Sequence, residues 1–364
     1  MFYYSMKKHD VVIIGAGIAG LSLSRSLEKE GIDFVTLEKR MEVGTYGPRI
    51  INLETLEKLS LPKENLIKAI RKINFYSPGG LIISKSDKST RGYVVNLREI
   101  EMHLYNSIKE KNKIKLKQNV VDFDLEQHTV KLSNGQDIGF KVLIFATGVL
   151  GVKFRNKLRI SHPKNVFCYA VEIKAKDEIT TILDNELAPG FYGWIIPLGD
   201  EIIELGFGAE ELNIRDHREI RRRLYSLSIL KKYKNKKIIR VNGGFIPTGM
   251  IDKKANKNWI VIGDAAGGEP MLGGSIHKCI DEAEMASKVI QENMQGKLFS
   301  MRKYEVEWDN ILGEEYESQR KIRKMLDTAR NADFDRIFKK LDGREIEGKG
   351  LINDLFRNIV TNLR

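Results

Sequence analysis

The sequence predicts an α/β fold in which a nucleotide-binding domain with a parallel sheet is interrupted by an inserted domain of antiparallel strands and followed by helices. Three observations predict it. The β-branched run Val11–Ile14 ends in glycines and passes into a helical pattern. Two later buried-strand patterns, Lys141–Phe145 and Trp259–Ile262, are followed by small or acidic residues. Between these patterns lie stretches typical of antiparallel strands and turns, Ile73–Lys85 and Val166–Phe207.

The turn after the first strand contains a G-x-G-x-x-G pattern, formed by Gly15, Gly17 and Gly20, with Ala19 inside it. In a dinucleotide-binding β-α-β unit the first glycine allows the tight turn and the second lets the backbone approach the pyrophosphate. The third glycine lets the helix pack close to the strand. The N–H groups at the start of the helix then face the pyrophosphate, where the helix dipole favours negative charge. The pattern predicts a Rossmann-like domain.

The second strand of this unit, Ile32–Leu37, ends at Glu38, which lies 18 residues after Gly20. This is close to the spacing at which a carboxylate binds the ribose hydroxyls of a dinucleotide, and we assign Lys39 to the same site. Strand, glycines, helix, second strand and acid occur together, so the motif is more than an isolated glycine-rich loop.

The third strand pattern indicates that the dinucleotide is FAD. It ends at Gly263-Asp264, where the carboxylate is expected to accept hydrogen bonds from ribitol hydroxyls. In the turn that follows, the N–H groups near Gly273 and Gly274 are expected to point at the flavin pyrimidine edge. Reduced flavin carries negative charge on that edge, which a helix N-terminus stabilises. The remaining predicted FAD-binding residues are Arg98, Val121, Ala146, Thr147, Gly148 and Pro270.

Taken together, these residues resemble the flavoprotein superfamily of p-hydroxybenzoate hydroxylase and, within it, the geranylgeranyl reductase branch. That branch carries a lipid-cavity motif of the form P-x-x-Y-x-W-x-F-P. The segment Pro189–Pro197 reproduces the motif with Ile196 in place of the phenylalanine. The turn Pro270–Ile276 also resembles the P-L-T-G-G-G-I turn of the branch, with one residue fewer after the aspartate. The resemblance implies a p-hydroxybenzoate hydroxylase-like FAD domain and substrate contacts by Pro189, Tyr192, Trp194 and Pro197.

The activity that the resemblance implies is saturation of carbon–carbon double bonds in a prenyl (geranylgeranyl-type) lipid by hydride transfer from reduced FAD. Tyr192 and Trp194 are two residues apart on a strand, so we expect both to face one side as an aromatic wall. They are the catalytic candidates, with the tyrosine hydroxyl as a proton source. The competing interpretation is that both rings pack in the core of the second domain.

The expected partners follow from the same resemblance. The substrate is a prenyl lipid or a prenyl diphosphate. No second G-x-G-x-x-G is evident for a nicotinamide nucleotide, so we expect electrons from a transiently bound donor, either NAD(P)H or ferredoxin.

Two departures from the branch leave other functions open. Many of its reductases have a cysteine in the loop after the second strand, where this chain has Thr45–Arg49, and the chain is short for the branch. The segment Tyr192–Pro197 is also similar to the W-x-W-x-I-P motif of flavin halogenases, although no equivalent of their catalytic lysine is evident. The first alternative is therefore an FAD-dependent monooxygenase or halogenase. The second is a non-catalytic, flavin-stabilised lipid-binding protein.

The composition is that of a globular protein. Its 364 residues carry a net charge of +12, concentrated in part between Arg215 and Arg240. This basic stretch is either a solvated helix face or an attraction for lipid phosphates at a membrane, and no nucleic-acid-binding motif accompanies it. No apolar run reaches the length of a membrane span, the two cysteines suggest a reducing compartment, and no Cys/His cluster has metal spacing. We expect a cytoplasmic protein that contacts the membrane peripherally and binds neither metal nor nucleic acid.

The predicted FAD-binding domain is discontinuous and takes in residues 1–72, 92–150 and 259–300. The predicted substrate domain takes in residues 73–91 and 151–258. Residues 301–364 form the predicted C-terminal helical region, where apolar residues recur at helical spacing.

Overall fold

The computed structural model of the chain describes residues 6–210, 217–271, 273–296 and 299–341. Arg215 of the basic stretch, Leu272 of the glycine turn and residues 342–364 of the predicted helical region lie outside the described residues. The strands are β1 (Lys7–Ile14), β2 (Phe34–Leu37), β3 (Pro48–Asn52), β4 (Leu66–Ile70), β5 (Lys72–Tyr76), β6 (Ile82–Ser86), β7 (Gly92–Asn96), β8 (Ile114–Lys115), β9 (Val120–Asp124), β10 (Thr129–Leu132), β11 (Asp137–Phe145), β12 (Asn165–Lys174), β13 (Thr180–Ile182), β14 (Gly193–Pro197), β15 (Ile202–Ala209), β16 (Ile238–Pro247) and β17 (Trp259–Val261). The helices are α1 (Ile18–Lys29), α2 (Leu53–Leu59), α3 (Leu97–Ser107), α4 (Val152–Leu158), α5 (His217–Leu224), α6 (Ser228–Lys231), α7 (Ile276–Gln295), α8 (Lys303–Trp308), α9 (Glu314–Thr328) and α10 (Asn331–Leu341).

The described residues form two compact units, each assembled from separate segments of the chain. The first unit takes in the chain up to Tyr46, Leu97–Lys164 and Pro247–Tyr316. The second takes in Gly47–Asn96, Asn165–Ile246 and the chain from Glu317 onward.

This division differs from the predicted domain boundaries at several places, and packing explains two of the differences. Helix α4 and the residues after it lie in the first unit, because Phe154 and Ile160 pack in that unit's buried cluster together with Phe145. Residues 47–72 fall almost wholly in the second unit, because β3 and β4 pair with β7 in a small sheet of their own.

The first unit is built on a sheet with the strand order β8-β2-β1-β11-β10-β9, and β17 pairs with β11. Strand β1 is parallel to both β2 and β11, and β11 is parallel to β17. Val11, Val12 and Ile13 are fully buried, as a central strand covered on both faces requires. Helix α1 carries the chain from β1 to β2 and packs against α7. The predicted β-α-β unit and its parallel sheet are confirmed.

The second unit contains a larger sheet with the strand order β16-β12-β15-β14-β13-β5-β6. Strands β12, β15 and β14 are antiparallel to one another, and β5 and β6 form an antiparallel hairpin around the predicted turn at residues 78–80. The antiparallel domain predicted from the sequence is therefore confirmed. One face of this sheet packs in a buried cluster that includes Ile195, Leu205 and Phe207.

The C-terminal helices follow the predicted apolar spacing. In α10, Phe334, Ile337, Phe338 and Leu341 are all buried. Asp335 of the same helix accepts hydrogen bonds from the Ser77 hydroxyl (2.6 Å) and the Gly79 N–H (2.7 Å) at the β5–β6 turn. These contacts attach α10 to the second unit.

The described residues contain neither a membrane-spanning helix nor a metal-binding cluster. Among their helices, none combines the length and the apolar character that crossing a bilayer requires. Within the same ranges, no three His, Cys, Asp or Glu side chains are grouped as a metal ion would need.

Candidate functional site

Glycine stands at each of the three positions of the first turn for a different structural reason. Gly15 has φ +106°, and a Cβ there would overlap the carbonyl oxygen of Ala146. A Cβ on Gly20 would overlap the carbonyl oxygen of Gly15. A Cβ on Gly17 would meet no described protein atom closer than Glu101 Oε1, at 3.8 Å. The protein's own packing therefore requires Gly15 and Gly20, whereas the space beside Gly17 suits the close approach of a ligand.

The start of α1 is suited to an anion. Gly17 is the N-cap residue, and no side chain caps the helix there. The first-turn N–H groups of this 12-residue helix thus lack a capping partner from a side chain. Ala19 is buried in the first turn, and its Cβ lies 2.7 Å from the position that a Cβ on Gly263 would take. The third strand pattern consequently approaches α1 closely.

Glu38 lies at the end of β2 with 4% of its surface exposed. Its Oε2 accepts a hydrogen bond from Ala16 N–H (2.7 Å), and its Oε1 accepts one from Arg40 N–H (2.8 Å). Burial acts to raise the pKa of Glu38, but the hydrogen bonds from Arg40 and Ala16 outweigh it and leave the pKa lowered. The carboxylate is held ionised and retains lone pairs for ribose hydroxyls.

Two residues near Glu38, Arg40 and Glu101, were not predicted from the sequence. Arg40 forms a salt bridge with Glu38 (3.1 Å) and another with Glu101 of α3 (3.3 Å). Glu101 also accepts hydrogen bonds from the N–H groups of Gly44 (3.1 Å) and Thr45 (2.8 Å). Lys39, assigned to this site from the sequence, is exposed. The acid–arginine–acid arrangement depends on the packing of α3, and the sequence around Glu38 contains no signal for it.

The other predicted residues of the first unit occupy three places. Ala146 donates its N–H to Ile14 O (3.0 Å), which puts Ala146, Thr147 and Gly148 beside the first turn. Arg98 lies in the first turn of α3, 3.7 Å from Glu42. Val121 is exposed on β9, and two strands separate β9 from β1 in the sheet.

Asp264 lies in a short 3₁₀ turn, Gly263–Ala265, directly after β17. A Cβ on Gly274 would lie 2.9 Å from Asp264 Oδ1, so the carboxylate lies against the glycine turn that Pro270 begins. The N–H of Gly273 donates to Glu269 O at 2.9 Å and the N–H of Glu269 donates back to Gly273 O. The Gly273 N–H is therefore bonded within this short loop, and the expected contact of N–H groups near Gly273 and Gly274 with the flavin pyrimidine edge stays a prediction.

A buried ion pair supports the turn that carries Asp264. Glu282 of α7 has no exposed surface, and its Oε1 lies 2.8 Å from Lys278 Nζ and 2.8 Å from Trp308 Nε1. Its Oε2 accepts the Gly263 N–H at 2.6 Å. Burial acts to lower the pKa of Lys278, but Glu282 outweighs it and raises the pKa. Only the helical spacing of Lys278 and Glu282 was visible in the sequence.

His277 and Cys279 follow the glycine turn at the start of α7. His277 Nε2 lies 2.9 Å from Glu269 Oε1, and Ser275 Oγ lies 2.8 Å from His277 Nδ1. Burial acts to lower the pKa of His277, but Glu269 outweighs it and raises the pKa. Cys279 is buried, and burial raises the pKa of its thiol. Cys279 is thus a packed residue.

The second unit places the predicted aromatic residues on one face of its large sheet. The rings of Tyr192 and Trp194 are 6.2 Å apart, and Phe191 stacks on Tyr192 at 4.2 Å. Tyr192 directly precedes β14, while Trp194 and Ile196 alternate with buried residues of the opposite face. We call the surface formed by Phe191, Tyr192 and Trp194 the aromatic face.

Glycines of β15 make room for this aromatic face. A Cβ on Gly206 would overlap the Trp194 indole, and one on Gly208 would press against the Phe191 ring. The indole is half-buried and lies outside the buried cluster that contains Ile195. The assignment of Trp194 to substrate rather than to core stays a prediction. Pro189 is half-buried before β14, and Pro197 is buried with Ile195 on the other face of the strand.

A cavity of about 320 Å³ in the second unit is separate from the aromatic face. It is lined by Asn74, Tyr76, Ile82, Asp177, Thr180, Ile229 and Lys232. Neither Tyr192 nor Trp194 contributes to it.

Comparisons with known proteins extend over nearly the whole chain. The model of the pyridine nucleotide-disulphide oxidoreductase family matches residues 9–181. A digeranylgeranylglycerophospholipid reductase of Methanocaldococcus jannaschii is 26% identical over 93% of this chain and 92% of its own length. Digeranylgeranylglycerophospholipid reductase 1 of Methanococcoides burtonii is 25% identical over 98% of this chain and 95% of its own length.

Solved structures with the same fold include reductase-like and oxygen-using flavoproteins. A geranylgeranyl bacteriochlorophyll reductase-like protein of Thermoplasma acidophilum aligns with a TM-score of 0.83 at 17% identity, over 99% of this chain and 96% of that one. The flavin-dependent brominase Bmp2 aligns with a TM-score of 0.68 at 16% identity, over 98% of each chain. The predicted resemblance to the geranylgeranyl reductases, the fold, the FAD cofactor and the oxidoreductase class are confirmed.

Proposed function

We propose that this relative of the digeranylgeranylglycerophospholipid reductases saturates carbon–carbon double bonds of a prenyl lipid of geranylgeranyl type. One observation carries the proposal: similarity to these reductases spans nearly the whole chain. The aromatic face of Phe191, Tyr192 and Trp194 supports it. Bound FAD supplies the hydride. The prenyl lipid or prenyl diphosphate is proposed to lie along Tyr192 and Trp194, and the Tyr192 hydroxyl is the candidate proton donor to the alkene.

The residues of the first unit fit FAD. The open space at Gly17 and the uncapped start of α1 suit a pyrophosphate. The ionised Glu38 suits the ribose, and the Asp264 carboxylate suits the ribitol hydroxyls. The full set proposed to bind FAD is Gly15, Gly17, Ala19, Gly20, Glu38, Lys39, Arg98, Val121, Ala146, Thr147, Gly148, Gly263, Asp264, Pro270, Gly273 and Gly274.

The proposal extends to partners and location. The electron donor is proposed to be NAD(P)H or ferredoxin, bound transiently. Both cysteines are free and buried, in line with a cytoplasmic enzyme. The described part of the basic stretch includes Arg221, Arg222 and Arg223 at the end of α5, which suit anionic lipid headgroups at a membrane surface.

The test is anaerobic reoxidation of the chemically reduced enzyme by prenyl compounds. We expect loss of the reduced-flavin spectrum and a product heavier by two hydrogens for each saturated double bond. Phosphorylated and unphosphorylated prenyl chains are compared at low and high salt, because screening weakens attraction between exposed charges.

Two results would replace the proposal. Turnover only after oxygen is admitted, with a hydroxylated or halogenated product, assigns the chain to the monooxygenase or halogenase class. Bound flavin and bound lipid without any reoxidation assign it to a lipid-binding role.

A further inference from the structure

The Trp194 indole is held by a buried acid. Its Nε1–H donates to Glu204 Oε1 at 2.9 Å, across from β14 to β15. Glu204 has 4% of its surface exposed and points to the same side of the sheet as the indole. The bond fixes the indole in the orientation that Gly206 accommodates.

A second buried acid lies directly opposite Glu204. Glu172 of β12 is the register partner of Glu204 of β15 and is 3% exposed. Asn242 Nδ2 donates both to Glu204 Oε2 (3.0 Å) and to Glu172 Oε1 (3.1 Å). Two like charges at such a position repel strongly in a buried environment, so two ionised carboxylates are disfavoured there.

The charged groups near Glu172 differ from those near Glu204. Arg240 Nε of β16 lies 3.7 Å from Glu172 Oε2. Burial raises the pKa of Glu204, and the charge of Glu172 raises it further. The hydrogen bonds from Trp194 and Asn242 and the charge of Arg49 on β3 lower it, but the pKa stays raised overall. The remaining titratable neighbour is Cys168 of β12, a thiol whose pKa burial raises to about 12 and which is therefore uncharged. With Arg240 beside Glu172, the proton of this acid pair is expected on Glu204, whose pKa is raised.

We propose that Glu204 carries a proton in the native protein and acts as a positioning residue, holding the Trp194 indole in place while leaving the aromatic face uncharged. Ionisation of Glu204 would put a second negative charge behind the indole, opposite Glu172. Water would then hydrate this charge next to the aromatic face, which is proposed to bind the apolar prenyl chain. The claim that this surface receives a prenyl chain rests on the proposed function. The claim that Glu204 is protonated does not.

The proton is tested by infrared spectroscopy on the FAD-loaded protein without substrate. A protonated carboxylic acid has a carbonyl band separate from that of carboxylates. We expect such a band at pH 7 in the wild type and its loss in Glu204→Gln. In Glu172→Gln the band should be weaker, because the neighbouring charge that raises the pKa of Glu204 is gone. Absence of the band in the wild type, or its survival in Glu204→Gln, would overturn the assignment.

The positioning role is tested with geranylgeraniol, an uncharged prenyl alcohol, so that any pH effect comes from the protein. Binding to the wild type should weaken as pH rises through the ionisation of Glu204, with a midpoint above the ordinary glutamate value of 4.5. Glu204→Gln, which mimics the neutral acid, should bind as well as the wild type and without this pH dependence. Glu204→Ala should bind about tenfold more weakly at every pH, as expected for one lost hydrogen bond.

Equal binding by Glu204→Ala and wild type, or an unchanged pH profile in Glu204→Gln, would contradict the positioning role. Failure of the proposed reaction would appear separately, as wild-type protein that binds geranylgeraniol and has the infrared band but reduces no prenyl compound.

Discussion

Each unit contains a buried glutamate that accepts a hydrogen bond from an indole, and the two glutamates differ in what surrounds them. Trp308 donates to Glu282 at 2.8 Å in the first unit, and Trp194 donates to Glu204 at 2.9 Å in the second. Glu282 also contacts the Lys278 ammonium, whereas Glu204 faces another carboxylate, Glu172. The same indole–carboxyl hydrogen bond is thus found beside an ammonium in the first unit and opposite a second acid in the second unit.

The difference shows that the neighbour of a buried acid determines its role. Around Glu282, the ammonium and the Gly263 N–H balance the charge, so the acid supports the turn carrying Asp264. Around Glu204, an ionised neighbour makes neutrality the less costly state. Four changes test this comparison.

Removing the ammonium should have the largest effect. Lys278→Met keeps the length of the side chain but leaves Glu282 buried without its counter-ion, at an expected cost of about 3–5 kcal/mol in the free energy of unfolding. FAD content should fall with it, because Glu282 holds the turn next to Asp264. Urea unfolding and the flavin absorbance of purified protein measure the two effects.

The matched control is Lys303→Met, which breaks an exposed pair with Glu292. An exposed pair of this kind contributes little to stability, so this variant should keep both its stability and its flavin. An equal loss in the two variants would mean that the Lys278–Glu282 pair has no special role.

Gly17→Val should separate support of the cofactor site from contact with the cofactor. The valine Cβ would meet no described protein atom closer than Glu101 Oε1 at 3.8 Å, so we expect normal unfolding behaviour. Its side chain would occupy the space proposed for the pyrophosphate, so the purified protein should be colourless. Gly244→Ala is the control and should stay yellow. Its added Cβ would meet no described atom within 4 Å outside the adjacent residues. Full FAD content in Gly17→Val would refute the nucleotide assignment.

The acid pair of the second unit should make stability depend on pH. Because the pKa of Glu204 is raised, the native state binds more protons than the unfolded state between the ordinary glutamate pKa and the raised value. The free energy of unfolding should therefore fall as pH rises through that window, with a slope of at most about 1.4 kcal/mol per pH unit for one proton.

The variant Glu204→Gln isolates this contribution from that of His277, whose raised pKa acts in the same direction. Urea unfolding at a series of pH values should give a smaller slope for the variant than for the wild type. Identical slopes would place the titrating group elsewhere.

Removing each indole N–H compares the two acids directly, with the smallest effect expected at Trp194. Trp308→Phe removes a hydrogen bond to an ionised acid, which contributes about 1.5–3 kcal/mol. Trp194→Phe removes one to a neutral acid, which contributes about 0.5–1.5 kcal/mol. Urea unfolding of both variants gives the comparison, and a larger cost at Trp194 would argue that Glu204 is charged.

The sequence predicted those features that depend on local patterns. The glycine turn, the β-α-β unit, the β5–β6 hairpin and the apolar stripe of α10 all follow from residues close in the chain. Glycine spacing even predicted which backbone positions approach each other, at Gly15 and Gly20. Each of these depends on periodicity or on steric limits within a few residues.

Features that depend on register or on packing between distant segments were not predicted. Glu204 meets Trp194 and Glu172 only because β12, β15 and β14 pair in one particular register. Arg40, rather than Lys39, contacts Glu38 because Glu101 of α3 draws the guanidinium toward it. A shift of one residue in the pairing of two strands turns each side chain to the other face of the sheet. The amino-acid composition does not indicate which register forms.

The flat contact between Trp194 and Gly206 has a consequence for the evolution of this sheet. While the indole covers β15, position 206 cannot take even a methyl group, so the two positions are not free to vary independently. A relative in which position 194 holds a smaller residue can accept a side chain at 206. One that keeps the tryptophan must keep the glycine. Covariation of these two positions in descendants of a common ancestor would therefore record which lineages have kept a ring lying against the backbone of β15.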